Sequence, residues 1–199
     1  MPSIPMVRHR AHIGMFGKIP GRGDFISAGL PRSFMDRAEK WIRQGLSEAS
    51  QNQNWHDAYL SSPIWQFATA RGVWDEQAWC GIIMPSVDSI GRNFPLIIAI
   101  QSDEISMNLL DKIQNLAQMT LSTDFGDIED WKKQILLSVD SADDVAKRGF
   151  LTPPMGGTFR ALTPDYDLIA EHRFMHLEAD LFMKLISPTD DLLSGTLAS

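Results

Sequence analysis

A single cysteine, Cys80, occurs in the 199 residues, so no disulfide can form within the chain. Its neighbours (Ala78-Trp79-Cys80-Gly81-Ile82-Ile83-Met84) are apolar, which marks it as a buried, inert thiol. Long hydrophobic runs are also missing: the longest, residues 94–100, is far short of a bilayer span and contains Pro95. The first ten residues hold two prolines and none of the apolar core that a secretory signal needs. Basic residues are in deficit, with 18 Lys and Arg against 25 Asp and Glu for a formal charge of −7, and no basic cluster stands out. A field of that sign repels nucleic acid and anionic lipid surfaces. Internal repeats and low-complexity segments are absent. These absences lead to the expectation of a cytoplasmic protein that neither binds nucleic acid nor inserts into a membrane.

What is present is an ordinary globular composition, 44% hydrophobic and 22% charged, in a chain long enough to bury a sizeable core. The expected layout is an N-terminal extension over 1–12, one domain over 13–186 and a tail over 187–199. An apolar stretch at 13–19 runs into the turn Pro20-Gly21-Arg22-Gly23-Asp24. After Leu30-Pro31, residues Phe34, Ala38, Trp41, Ile42 and Gly45 recur at spacings of three and four, which predicts an amphipathic helix. A short helical turn is expected at 55–60, and three strands at 64–70, 78–87 and 94–101. Tight turns separate the three, as in an antiparallel meander.

From Asp103 the period becomes helical. Ile105, Leu109, Ile113, Leu116 and Met119 form one stripe, and Ile128, Trp131, Ile135 and Val139 another, with Asp103 and Asp127 as N-caps. A further strand is expected at 158–162 and a last helix from Pro164-Asp165 to Ile186. Strands gathered in the first half and helices in the second predict an α+β fold: an antiparallel sheet of about five strands with helices on its faces, in a longin/profilin-like order.

The segments that invite a chemical reading do not support one. Gly14-Met15-Phe16-Gly17-Lys18 lacks the spacing of a phosphate loop, and Ile19-Pro20 after the lysine prevents a helix from starting there. No cofactor is expected. Arg22-Gly23-Asp24 reads as an exposed turn that offers charges to a partner. His172, His176 and Asp180 would share one face of the last helix if it formed, a spacing that allows a metal-dependent enzyme as the alternative. A solvated polar face is the favoured reading, because such pairs arise easily by chance on polar helix surfaces, and no fourth ligand is evident. Ser86 with Asp88 is not a nucleophile elbow; Asp88 is expected to cap the turn over 89–91, with Arg92 reaching back to it or to Asp24. Of the six tryptophans, Trp65 and Trp74 flank a turn, where an indole could be half exposed and anchor an interface, with core packing the favoured reading for any one of them. A small-ligand sensor is the third option.

Two gapped motifs carry a family resemblance. Gly14-x-x-Gly17-Lys18-x-Pro20-x-x-Gly23-Asp24-Phe25, followed by Leu30-Pro31-x-x-Phe34 and Trp41, is similar to the opening of the TagF/ImpM family of type VI secretion accessory proteins. Met84-Pro85-Ser86-Val87-Asp88-x-x-Gly91-Arg92-x-Phe94-Pro95-Leu96 resembles the second signature, with Tyr59-Leu60-x-Ser62-Pro63-x-Trp65-x-Phe67 between them. Members often carry arginine where Gln66 stands and a basic residue where Ser89 stands. The resemblance implies a non-enzymatic, post-translational regulator of the secretion apparatus. It would act as a repressor by contacting a cytoplasmic forkhead-associated (FHA) scaffold protein, with no catalytic residue and no metal. The residues expected to meet that partner are Lys18, Arg22, Asp24, Phe25, Trp65, Ser86, Asp88 and Arg92.

Overall fold

The computed structural model describes residues 12–102, 104–122, 130, 133, 149–151, 155–163 and 168–187. The elements, in chain order, are β1 (Ile13–Gly17), β2 (Ile26–Ala28), α1 (Arg32–Ala49), α2 (Trp55–Ser61), β3 (Trp65–Thr69), β4 (Trp79–Met84), β5 (Leu96–Gln101), β6 (Glu104–Ser106), α3 (Met107–Ser122), β7 (Gly149–Leu151), β8 (Gly157–Leu162), β9 (Leu168–Phe174) and α4 (Ala179–Ile186). Seven strands form an antiparallel sheet in the order β2-β1-β5-β4-β3-β8-β9, and β6 pairs with β7 apart from it. The fold class is α+β, with seven strands in the main sheet where about five were expected.

The strand period of two sorts side chains into two cores. Trp79 and Ile83 of β4, with Ile97 and Ala99 of β5, join the aromatic core under α1 and α4. Their alternates Cys80, Ile82, Met84, Leu96, Ile98 and Ile100 face the other way, onto Leu110, Ile113 and Ala117 of α3. Both faces are therefore apolar, which is why β4 and β5 read as nearly continuous apolar runs. The meander is as expected: β3 pairs with β4 and β4 with β5, Gly81 opposing both Phe67 and Ala99. The amphipathic reading of α1 also holds, since Phe34, Ala38, Trp41, Ile42 and Gly45 are all buried.

Three expectations are corrected. The last helix is about a third of the expected length: residues 168–174 are the edge strand β9, paired with β8, and α4 begins only at Ala179. An edge strand with half-exposed side chains on both faces carries no clear alternation, so the helical spacing of His172, His176 and Asp180 was coincidental. Helix α3 starts at Met107, after the short strand β6, and not just beyond Asp103. Strands are not confined to the first half, because β8 and β9 extend the sheet beyond β3. The stripe Ile128, Trp131, Ile135 and Val139, with the caps Asp103 and Asp127, lies outside the described residues.

Candidate interaction face

The site is built where two loops of one sheet end meet. After β1 the chain bends at Gly17, whose φ is 141°. A side chain there would strike the backbone, since a Cβ would lie 2.1 Å from the Pro95 carbonyl oxygen. The chain can therefore pass against the start of β5 only with glycine at 17. The next segment turns tightly, the Arg22 amide donating to the Ile19 carbonyl at 3.1 Å. The second loop, between β4 and β5, is held by Asp88: its Oδ1 accepts from the amides of Ile90 (3.1 Å) and Arg92 (2.8 Å), as an Asx turn does.

The two loops are then tied to each other. The Ser89 amide donates to the Arg22 carbonyl at 3.0 Å, and the Arg92 guanidinium donates through Nη2 to the Gly23 carbonyl at 2.7 Å. Beneath them, Lys18 Nζ and Arg92 Nε both meet Asp88 Oδ2, at 2.8 and 2.6 Å. Burial of the Asp88 carboxyl acts to raise its pKa, but the hydrogen bonds from Lys18, from the Arg92 amide and guanidinium and from the Ile90 amide overcome it. They hold the group well below the usual carboxylate range. One layer deeper, Ser86 Oγ donates to the Lys18 carbonyl at 2.7 Å. Tyr59 bridges the Ser86 backbone, donating to its carbonyl at 2.8 Å and accepting from its amide at 2.9 Å. Burial pushes the Tyr59 phenol well above its ordinary pKa, against the opposing effect of the Ser86 bond, so it stays a neutral donor.

Outside this polar frame lies an aromatic step. Phe25, 38% exposed, stacks on Phe16 with ring centroids 5.7 Å apart and meets Phe94 edge-on at 4.7 Å. Two cations flank it: Lys18 Nζ lies 5.2 Å from the Phe25 ring centre and the Arg43 guanidinium carbon 5.8 Å. Arg22 and Asp24 are exposed, and Ile90, at 72% exposure, forms the tip of the second loop.

The eight residues singled out in the sequence divide into two layers. Arg22, Asp24, Phe25 and Arg92 lie on the surface, while Lys18, Ser86, Asp88 and Trp65 are buried. Trp65 is not half exposed: it sits in the aromatic core with its indole donating to the Leu185 carbonyl at 2.9 Å, and Trp74 is likewise buried. Indoles that flank a turn are here drawn inward because α1 and α4 cover that sheet face. Asp88 caps its turn as expected, and Arg92 reaches Asp88 and the Gly23 carbonyl rather than Asp24. The residues missed are Tyr59 as the bridge, and Phe94 and Arg43 as neighbours of Phe25. Tyr59 and Phe94 gave a sequence signal, their places in the middle and second motifs; Arg43 gave none.

His172, His176 and Asp180 do not share one helix face. Ser86 Oγ is engaged with a carbonyl, His172 lies on β9, His176 lies in the following turn, and Asp180 on α4 pairs with Lys184 at 3.4 Å. Among the described residues no helix is long and apolar enough to cross a membrane.

Residues 14–144 match the family described as TagF N-terminal domain, Type VI secretion system-associated. No curated protein matches the chain. The fold is similar to that in the crystal structure of PA0076 from Pseudomonas aeruginosa PAO1, with a TM-score of 0.67 and 23% sequence identity, over 88% of this chain and 94% of that one. The matched span takes in both loops of the face and covers well over half of the chain. By that match the chain belongs to the family of TagF N-terminal domains and is a type VI secretion system-associated protein.

Proposed function

We propose that this domain is a non-enzymatic, post-translational regulator of type VI secretion that represses the apparatus by binding its cytoplasmic FHA scaffold protein. The contact is made by the face of Arg22, Asp24, Phe25, Ile90 and Arg92. One observation carries this reading: loops far apart in the chain are locked side by side, the Arg92 guanidinium donating to the Gly23 carbonyl across 69 residues of sequence. The buried Lys18–Asp88 pair and the Tyr59–Ser86 bridge fix the two loops, so little conformational freedom is lost when a partner arrives. Exposed Phe25 and Ile90 supply apolar area at the centre, and the arginines and Asp24 surround it with orienting charge. The buried side chains of the frame direct their polar atoms at one another, which suits a scaffold better than a reacting centre.

The test is titration calorimetry of the purified domain with the FHA scaffold protein of its own secretion system. Arg22→Glu and Phe25→Ala alter surface groups and leave the Lys18–Asp88–Arg92 frame in place. Each is expected to weaken binding by about tenfold or more, in the range of ordinary interface contacts. Unchanged affinity in both variants contradicts the reading, as does turnover of a substrate by the purified domain.

A further inference from the structure

On the opposite side of the sheet, between β3 and α3, is a cleft of about 320 Å³ lined by Pro63, Ile64, Gln66, Asp111, Gln114 and Asn115 with Gln118, Leu162 and Thr163. Its composition is unusual for a helix-to-sheet junction. While Leu110, Ile113 and Ala117 of α3 press on the apolar core, Asp111, Gln114, Asn115 and Gln118 line the cleft at helical spacing. Gln66, whose strand turns apolar Ala68 to the same side, is 3% exposed and belongs to this cleft wall.

The hydrogen bonds of the wall are incomplete on one side only. Gln66 Nε2 donates both its hydrogens, to Asp111 Oδ1 and to Gln114 Oε1, each at 3.1 Å. Because a carboxylate oxygen can only accept, these bonds fix which end of the amide is nitrogen. Gln66 Oε1 is left buried with no hydrogen-bond partner among the described residues. Asp111 is half-buried, and its carboxylate accepts from the neutral Gln66 amide, with no ion pair to a cation among the described residues. Desolvation of the Asp111 carboxyl raises its pKa and the Gln66 bond only partly opposes this. The unmet demand is thus for hydrogen-bond donors and positive charge together.

We propose that this cleft is a binding site for a small organic cation bearing N–H donors, a guanidinium or primary ammonium compound. Its head group would pair with Asp111 and, as the Gln66 amide turns toward it, donate to Gln66 Oε1, while Pro63, Ile64 and Leu162 contact its aliphatic portion. The volume is that of a small-molecule site, at the lower end of the usual range. The site is separate from the interaction face and makes the domain ligand-responsive whichever partner that face binds.

The experiment is a ¹H–¹⁵N titration of the whole chain with agmatine, with n-butylamine as the ammonium probe and glutarate as the anionic control. The Gln66 side-chain amide is the reporter. Agmatine or butylamine is expected to shift it saturably, glutarate to leave it in place, and Asp111→Asn to weaken binding by about tenfold. Gln114→Ala, on the exposed side of the wall, provides a second variant should Asp111→Asn fail to fold, and is expected to weaken binding through loss of Gln66 orientation. No shift with either cation overturns the proposal, as does equal binding by the variants, or a response to calcium chloride alone, which would make the oxygens a metal site. Loss of agmatine binding would leave the partner-binding role of the opposite face untouched.

Discussion

Tyr59 is the residue on which the frame beneath the interaction face most depends, because one phenol oxygen satisfies both the amide and the carbonyl of Ser86. Tyr59→Phe leaves the buried Ser86 amide without its partner and the Ser86 carbonyl with the Phe94 amide alone, while changing the packing little, and is expected to lower unfolding free energy by about 2 kcal/mol, read from urea denaturation. Asp88 is the second such residue. Its carboxyl is held below its unfolded value near pKa 4, so its contribution to stability is complete above about pH 4 and is lost as the pH falls toward the folded value. Asp88→Asn lacks that contribution at every pH. The melting temperature of the natural chain should therefore exceed that of the variant at pH 7, and the gap should close on acidification below about pH 4. A gap that stays constant down to pH 2 would show that Asp88 does not carry its charge into the fold. At this scale the sequence was informative for local chemistry: the Asp88 cap and the returning Arg92 follow from a carboxylate placed four residues before a guanidinium across a glycine turn. It was uninformative for burial. Nothing in the order of residues says that Lys18 lies under its loop while Arg22 lies on top, since that depends on how closely β1 and β5 approach.

Among the elements, α1 and α4 show how the aromatic core is closed. Glycine inside a helix ordinarily costs stability, and replacing it by alanine gains roughly 0.5–1 kcal/mol. At Gly45 the expected sign is reversed, because a Cβ would stand 2.3 Å from Cγ of Phe182 on α4, near the fixed root of that side chain. Gly45→Ala should destabilise the domain by about 1 kcal/mol or more despite its better helix propensity. A stabilised variant in urea would mean that the two helices are not in such close contact. The elements most legible in the sequence are those whose burial is one-sided or complete. Helix α1 shows its stripe because one face meets the sheet, and β4 and β5 show apolar runs because both faces are covered. Strand β9 was mistaken for helix because an edge strand is half solvated along both faces, so Leu168–Phe174 has no period to reveal it. Strands β2 and β6, three residues each, are too short to show any period.

For the molecule as a whole, the charge is −7, yet Lys18 and Arg43 flank Phe25, and Arg22 and Arg92 stand on the two joined loops at the same end of the sheet. Orientation of a partner at that end by charge should weaken as ionic strength rises. That gathering was not legible in advance, because residues 22–24 and 88–92 are brought together only when β1 pairs with β5. The two glycine-bearing motifs could be seen; their adjacency is a property of strand order. The central proposal is that this joint face meets the FHA scaffold protein. Its most direct test is a ¹H–¹⁵N spectrum of the labelled domain titrated with that scaffold protein. The account expects perturbed amides at Arg22, Asp24, Phe25, Ile90 and Arg92, with β9 and α4 unchanged. Perturbations confined to β9, α4 or the α3 cleft, with these five amides unmoved at saturation, would contradict it.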